Sequence, residues 1–390
     1  VLILAVGWRF FGVIALGVSV MVRSAVFGRW LVLAVLVAGW GCSRGDQSAT
    51  ATLPETSAAA LEIPPDDELR TRIDAILDFS SNARNLNSRD HAAWQIVHGL
   101  LQYGRDFQIE HEGKLVGALD YLTSGGKLTG WNLRKGSHGV VALLEAGSKT
   151  GQGHPDQWLG YLSQCGLGID DKLVVAGEDF TVRDLVTQAQ WDIHDGMEAS
   201  WTLMACATYL PLDTKWTAKD GSEWTIPRMA EMEAKAGFSG VGCGGTHRAY
   251  GLVVALNKYL EAGGDPDQPQ WNTVYDAIYG DEGVIAKSRQ YQQPDGNFST
   301  QFFDRAGSSA NIETRIHATG HTLEVLAAAM DQEELEQLWV TNGVVALLDM
   351  LERTQDYPLE CGALYHAVRG LDLYRTRRFG PRESAVTAAK

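Results

Sequence analysis

The stretch Thr314–Met330, TRIHATGHTLEVLAAAM, decides how this chain is read. It is apolar or small on nearly every side of a helical wheel. A helix of that kind is buried all round. It nevertheless carries His317 and His321, four residues apart and therefore on one face.

Five further stretches share this character: His91–Tyr103 (HAAWQIVHGLLQY), Ser137–Ala146 (SHGVVALLEA), Met197–Leu210 (MEASWTLMACATYL), Gly244–Leu260 (GGTHRAYGLVVALNKYL) and Cys361–Tyr374 (CGALYHAVRGLDLY). The six starts are spaced 46, 60, 47, 70 and 47 residues apart. Amphipathic, more charged stretches fill the gaps: Asp67–Phe79, Thr181–Ile193, Ile226–Ala236, Trp271–Gln290 and Gln332–Thr354. Strand signals are scarce, with Lys172–Ala176 an exception. A two-helix repeat of about 50 residues builds either a solenoid or a closed ring. A solenoid exposes one face of every helix, whereas six helices buried on all sides need closure. The predicted fold is therefore all-α, an (α/α)6 toroid over residues 66–378 with a C-terminal tail at 379–390. Its inner helices run parallel and open their N-termini on one side.

Eight of the ten histidines lie in or at the start of these six stretches: His91, His98, His138, His194, His247, His317, His321 and His366. With Trp94, Trp201, Arg248, Tyr250 and Tyr365 they predict a ligand-binding central funnel. Taken singly, each histidine also fits a hydrogen-bonded core residue.

Two chemistries suit the funnel. Cys243 and His247 are four apart, as are His317 and His321, and Cys361 and His366 open the last stretch. Thiolate and imidazole are zinc ligands, so zinc is a candidate cofactor if the three pairs converge, and a metal-dependent transferase is the activity such a set would suit. Reduced, packed cysteines and hydrogen-bonded histidines fit the same residues. The second candidate is His194, Asp195 and Glu198, where two acids three apart beside a histidine suit acid–base work on a carbohydrate. Trp94, Trp131 and Trp201 would stack sugar rings. Acids in a first helical turn also favour the helix dipole with no further role.

The helical repeats resemble the superfamily of terpenoid cyclases, protein prenyltransferases and thioester-containing complement-type domains. Gln292–Phe298 (QQPDGNF) resembles its QW-type turn, and Val241–Thr246 (VGCGGT) stands where thioester domains carry their cysteine. The resemblance implies the toroid. It does not carry an activity over. The D-x-D-D acid motif of the cyclases is absent, Val241 replaces the prenyltransferase zinc aspartate, and Thr246 replaces the thioester glutamine. Ser137–Gly139 (SHG) resembles a step of the lanthionine cyclases, a zinc toroid family, and adds His138 as a candidate catalytic residue; their Cys-His-Gly motif is missing.

The N-terminal 42 residues differ from the rest. Met21, Arg23 and Arg29 precede an apolar core, Trp30–Trp40, and then Gly41-Cys42. That order reads as a secretory signal, with Met21 as its start. The apolar core is shorter than the roughly 20 residues a span needs. A cysteine after such a core resembles the bacterial lipoprotein signal, with Gly39 where leucine is usual. It implies lipidation at Cys42, a linker over 43–65, export and a membrane anchor on the periplasmic side. An ordinary signal with an incidental cysteine is the alternative.

The chain has 390 residues and a net charge of −15, which argues against a nucleic-acid partner. No Walker loop, dinucleotide fingerprint, G-x-S-x-G elbow or H-E-x-x-H motif is present. The four later cysteines, Cys165, Cys206, Cys243 and Cys361, form no close pair.

Overall fold

A computed structural model describes residues 62–382, apart from 83 and 85. The signal segment, Cys42, most of the linker and the end of the tail lie outside the described residues. Helix dominates. The first half holds α1 (Asp66–Asn82), α2 (Ala93–Tyr103), α3 (Ala118–Thr123), α4 (Gln157–Leu162), α5 (Val182–Asp192), α6 (Ser200–Tyr209) and α7 (Ile226–Ala236). The second half holds α8 (Thr246–Glu261), α9 (Pro269–Tyr279), α10 (Val284–Gln290), α11 (Ile312–Ala329), α12 (Gln332–Leu335), α13 (Leu338–Glu352) and α14 (Cys361–Phe379).

Four antiparallel hairpins interrupt the first half: β1–β2 (Gln108–His111, Lys114–Gly117), β3–β4 (Leu133–Lys135, Val140–Ala142), β5–β6 (Lys172–Val175, Glu178–Thr181) and β7–β8 (Lys215–Thr217, Glu223–Thr225). Two of them turn on residue pairs of positive φ, Glu112-Gly113 and Ala176-Gly177. That is the backbone a two-residue hairpin turn requires, and glycine takes it at little cost. Two hairpins run straight into a helix through a threonine cap. Thr181 and Asp184 form a capping box on α5, and Thr225 accepts from the Arg228 backbone N–H on α7.

Five of the six all-apolar stretches are helices, namely α2, α6, α8, α11 and α14. Ser137–Ala146 is not, since residues 140–142 are a strand of the β3–β4 hairpin. Gly139 has φ +155, and a Cβ there would lie 2.0 Å from the Asp184 carbonyl oxygen. The backbone at Gly139 is thus closed to other residues, and the short run beyond it pairs as a strand. The next buried helix is α4, six residues whose side chains are all buried. Two outer stretches are also divided. Trp271–Gln290 breaks after Tyr279 into α9 and α10, and Gln332–Thr354 becomes α12 and α13.

Packing follows a simple succession. Helix α2 lies on α4, α4 on α6, α6 on α8, α8 on α11, α11 on α14, and α14 on α2. The amphipathic helices pack against members of this set: α5 on α4 and α6, α7 on α6 and α8, α9 on α8, α13 on α11, and α1 on α14. The QQPDGNF segment joins α10 to both layers. Gln292 donates to the Gly296 and Trp339 carbonyls at 2.8 Å each, the Phe298 N–H donates to Thr319, and the Phe298 ring meets Trp339 edge-on. Among the described residues no helix is long and apolar enough to cross a membrane.

Candidate metal centre

The closest helix crossing builds the site. Gly320 of α11 faces Ala367 of α14, where a Cβ on Gly320 would lie 2.5 Å from the Ala367 Cα. Gly370 repeats the contact one turn on, 2.9 Å from the Gly320 carbonyl oxygen by the same measure. Small residues let the two backbones meet, and the rings of the residues beside them, His321 and His366, lie tilted by 32° with centroids 3.8 Å apart. Helix α8 adds His247, its ring 5.5 Å from each of the other two.

These three buried imidazoles have nitrogen atoms within 4.8 Å of one another. Their unused nitrogens converge. The Nδ1 of His366 donates to Glu324 at 2.6 Å, and the Nδ1 of His321 donates to the His317 carbonyl at 2.9 Å. Each bond leaves an Nε2 lone pair. Neither Nε2 has a hydrogen-bond partner, and neither nitrogen of His247 has one. Buried polar atoms are normally satisfied. Four unpartnered nitrogens on three adjacent rings are therefore a deficit that points to a ligand. Nitrogens around a tetrahedral zinc stand about 3.4 Å apart, given Zn–N bonds near 2.0–2.1 Å.

A second layer holds this set from below. Glu324, buried, pairs with His366 and with the Arg369 guanidinium at 3.0 Å. Arg369 is fixed in turn by the Leu101 carbonyl, Gln164 and the Tyr250 hydroxyl at 2.6, 3.0 and 3.1 Å. The ion pair orients the His366 ring and keeps its Nδ1 occupied as a donor, an arrangement that raises the basicity of a ligating Nε2. Burial, then the neighbouring His366, holds His247 and His321 well below the usual imidazole range. Burial and the same neighbour lower His317 to about 4. Neutral imidazoles are the form that binds metal.

Above the set is a cleft of about 310 Å³, lined among others by Trp94, Lys149, His154, Cys243, His317 and Glu360. Cys243 sits in the left-handed region at φ 49, and its sulfur is 3.9 Å from His317 Nε2. Burial pushes its thiol up to about 12. Cys243, His317 and His321 form a second group with ligand atoms within 4.8 Å. At the rim, His154 donates through Nδ1 to the Glu198 carboxylate at 3.0 Å, which leaves its Nε2 lone pair free. Its ring lies edge-on to His247 at 5.8 Å.

No known protein family matches this chain, and no curated protein is similar to it. Geometry alone therefore supports the functional reading.

Of the six predicted metal ligands, Cys243, His247, His317, His321 and His366 meet at the cleft. Cys361 does not. It lines a neighbouring cleft with Arg84, His91 and Glu313. Among the predicted ligand-binding residues, Trp94 lines the cleft, Trp201 packs 4.7 Å from His247, and Tyr250 supports Arg369. Arg248 is instead buried in an ion pair with Glu233 at 3.0 Å, and Tyr365 packs edge-on against Tyr103 and Phe107. The predicted acid–base set is dispersed. Glu198 holds His154, Asp195 is exposed and bound to Arg228 at 2.9 Å, His194 is exposed, and His138 stacks on Trp191 at 3.7 Å. His98 spends both nitrogens, on the Trp94 carbonyl at 2.5 Å and the Tyr161 hydroxyl at 3.0 Å.

Sequence reasoning missed His154, Glu324, Arg369 and Gly320. Two of these carried a signal. Glu324 follows His321, and Arg369 follows His366, by the three residues that place a pair on one helix face. His154 lies in a loop, where no periodicity marks it.

Proposed function

We propose that this chain is an α/α toroid whose central cleft holds a zinc-class ion on His247, His321 and His366, and that it catalyses a hydrolysis there. The toroid reading is supported by the succession of helix contacts that returns from α14 to α2, with the amphipathic helices packed against its members. The metal reading rests on the unpartnered nitrogens of three buried, mutually adjacent histidines. A three-histidine set leaves one coordination position open, which is the pattern of catalytic rather than structural zinc.

Bound zinc supplies Lewis acidity and makes water a nucleophile near neutral pH. The chain's own groups supply the rest. Trp94, Lys149 and Glu360 line the way in and contact whatever enters. Glu198 orients His154, whose Nε2 accepts the proton from the attacking water and returns it to the leaving group. Glu324 and Arg369 position His366. The N-terminal signal reading adds export and lipid anchoring at Cys42, which metabolic labelling with a palmitate analogue tests against Cys42→Ala.

Elemental analysis after zinc loading tests the centre. One zinc per chain is expected, with loss in His321→Ala and weaker binding in His247→Ala and His366→Ala. A folded wild-type chain that binds no zinc overturns the reading. Hydrolysis of an activated ester such as p-nitrophenyl acetate, abolished by chelation and restored by zinc, tests the reaction.

A further inference from the structure

The cleft contains two ligand groups rather than one. Cys243, His317 and His321 stand beside His247, His321 and His366, and only His321 belongs to both. Its Nδ1 is committed to the His317 carbonyl at 2.9 Å, so a single nitrogen, Nε2, is open. One imidazole nitrogen binds one ion. The two groups therefore cannot be filled together with His321 serving both.

They also differ in depth. All five residues line the cleft, but His247, His321 and His366 are buried whereas Cys243 and His317 are only partly covered. An ion from solvent meets Cys243 and His317 before it reaches the deeper rings. The loop that presents the thiol is closely packed. Cys243, Gly244 and Gly245 all have positive φ, and a Cβ on Gly244 would lie 2.1 Å from the Phe302 ring. A residue held in the left-handed region by its surroundings is a marker of function rather than of convenience.

We propose that the centre has two seats sharing His321, a deep one of three histidines and a shallow one of Cys243, His317 and His321, and that the shallow seat is the entry station through which a divalent ion reaches the deep one. This rests on the metal reading above and adds a second coordination state to it. The ligand chemistry gives the direction. The deep seat offers three buried imidazoles whose free nitrogens have no other partner, whereas the shallow seat offers one partly covered thiol, one partly covered imidazole and the shared His321. A borderline ion gains by moving inward to the three nitrogens. A thiophilic ion such as Cd²⁺ gains by staying.

Cobalt(II) reports both states, because a cobalt–thiolate bond adds a charge-transfer band that cobalt–imidazole bonds lack. The full chain is titrated with cobalt alone. Wild type is expected to bind one ion per chain without the charge-transfer band. His366→Ala and His247→Ala, each checked for native circular dichroism, are expected to keep one ion and gain the band. Adding Cys243→Ser to either removes it. In the wild-type background Cys243→Ser is expected to slow cobalt uptake, with final affinity little changed. Two ions per wild-type chain, no band in either histidine variant, or unchanged uptake in Cys243→Ser overturns the two-seat scheme. A band in wild type that persists in His247→Ala makes the shallow seat the resting site and overturns the scheme as well. No cobalt or zinc bound to wild type at all overturns the metal centre itself, so the two failures are distinguishable.

Discussion

Glu324 accepts a hydrogen bond from His366 Nδ1 at 2.6 Å, and both side chains are buried. A carboxylate in a helix interior costs desolvation unless it is paired. Here Arg369 pairs it from the other side at 3.0 Å. The carboxylate's stability and its positioning of His366 thus come from one contact chain, running from the Leu101 carbonyl through Arg369 and Glu324 to an imidazole whose other nitrogen is unpartnered.

Glu324→Gln tests that chain. The amide keeps the shape and loses the charge, so His366 Nε2 becomes a poorer ligand. Zinc affinity is expected to fall about 10–100-fold, as for other carboxylate–histidine supports. Competition with a chromophoric chelator measures it. Unchanged affinity would show that the ion pair serves folding alone.

Gly320→Ala tests the helix crossing. The new methyl meets the Ala367 backbone, which cannot move as a flexible side chain would. Overpacking of this kind costs about 1–3 kcal/mol. A lower melting temperature and weaker zinc binding are expected together, because the same contact sets the spacing of His321 and His366. Loss of stability with zinc affinity intact would separate the crossing from the site.

His154→Gln and Glu198→Gln test the proton acceptor. Both leave the three histidine ligands in place, so metal content is expected to stay at one ion per chain. The hydrolysis rate is expected to fall about 10²–10⁴-fold for His154→Gln, the usual share of general base catalysis. Glu198→Gln should fall less, since it acts through His154. Equal metal loss in both would assign them to the metal instead.

Asp156 gives a pH prediction away from the metal. Burial, offset in part by the Thr202 hydroxyl at 2.6 Å, pushes its carboxyl up to about 6. A carboxyl whose folded pKa lies above its ordinary 3.8 stabilises the fold most below that value. The benefit is lost as pH rises through about 6. Asp156→Asn removes the charge while keeping an acceptor for Thr202. Asparagine also tolerates the left-handed φ of 55 at this position. Urea denaturation is expected to show the variant about 1–2 kcal/mol more stable at pH 8, a discounted reading of the shift for a partly covered residue. The difference should vanish near pH 4. A constant offset across that range would mean that charge is not the cause.

Much of the helical frame was legible because burial leaves a compositional trace. Thr314–Met330 and Cys361–Tyr374 are apolar all round, and each became a buried helix within a few residues of its expected ends. Ser137–Ala146 misled for a physical reason. A short apolar run has the same composition in a buried helix and a hairpin, and the choice was made by the backbone of Gly139 against Asp184. Helix α4 escaped notice because six residues are too few to show a period.

The candidate site divides along the same line. Spacing along one helix placed His317 and His321 on a common face, a local relation that follows from helix geometry. Cys243 precedes α8 in left-handed backbone, so its place at the cleft was not set by helical spacing from His247. Which histidines meet is a different matter. His366 reaches His321 because Gly320, Ala367 and Gly370 let α11 and α14 touch, and Cys361, on the same helix, is left facing another cleft. Asp195 and Glu198 are three residues apart, yet one binds Arg228 at the surface and the other binds His154 at the cleft. The sequence by itself determined the helical class and the local faces, since periodic burial is written into composition. Only the tertiary structure decided which faces converge, because helix separation depends on residues whose small size matters solely at the point of contact.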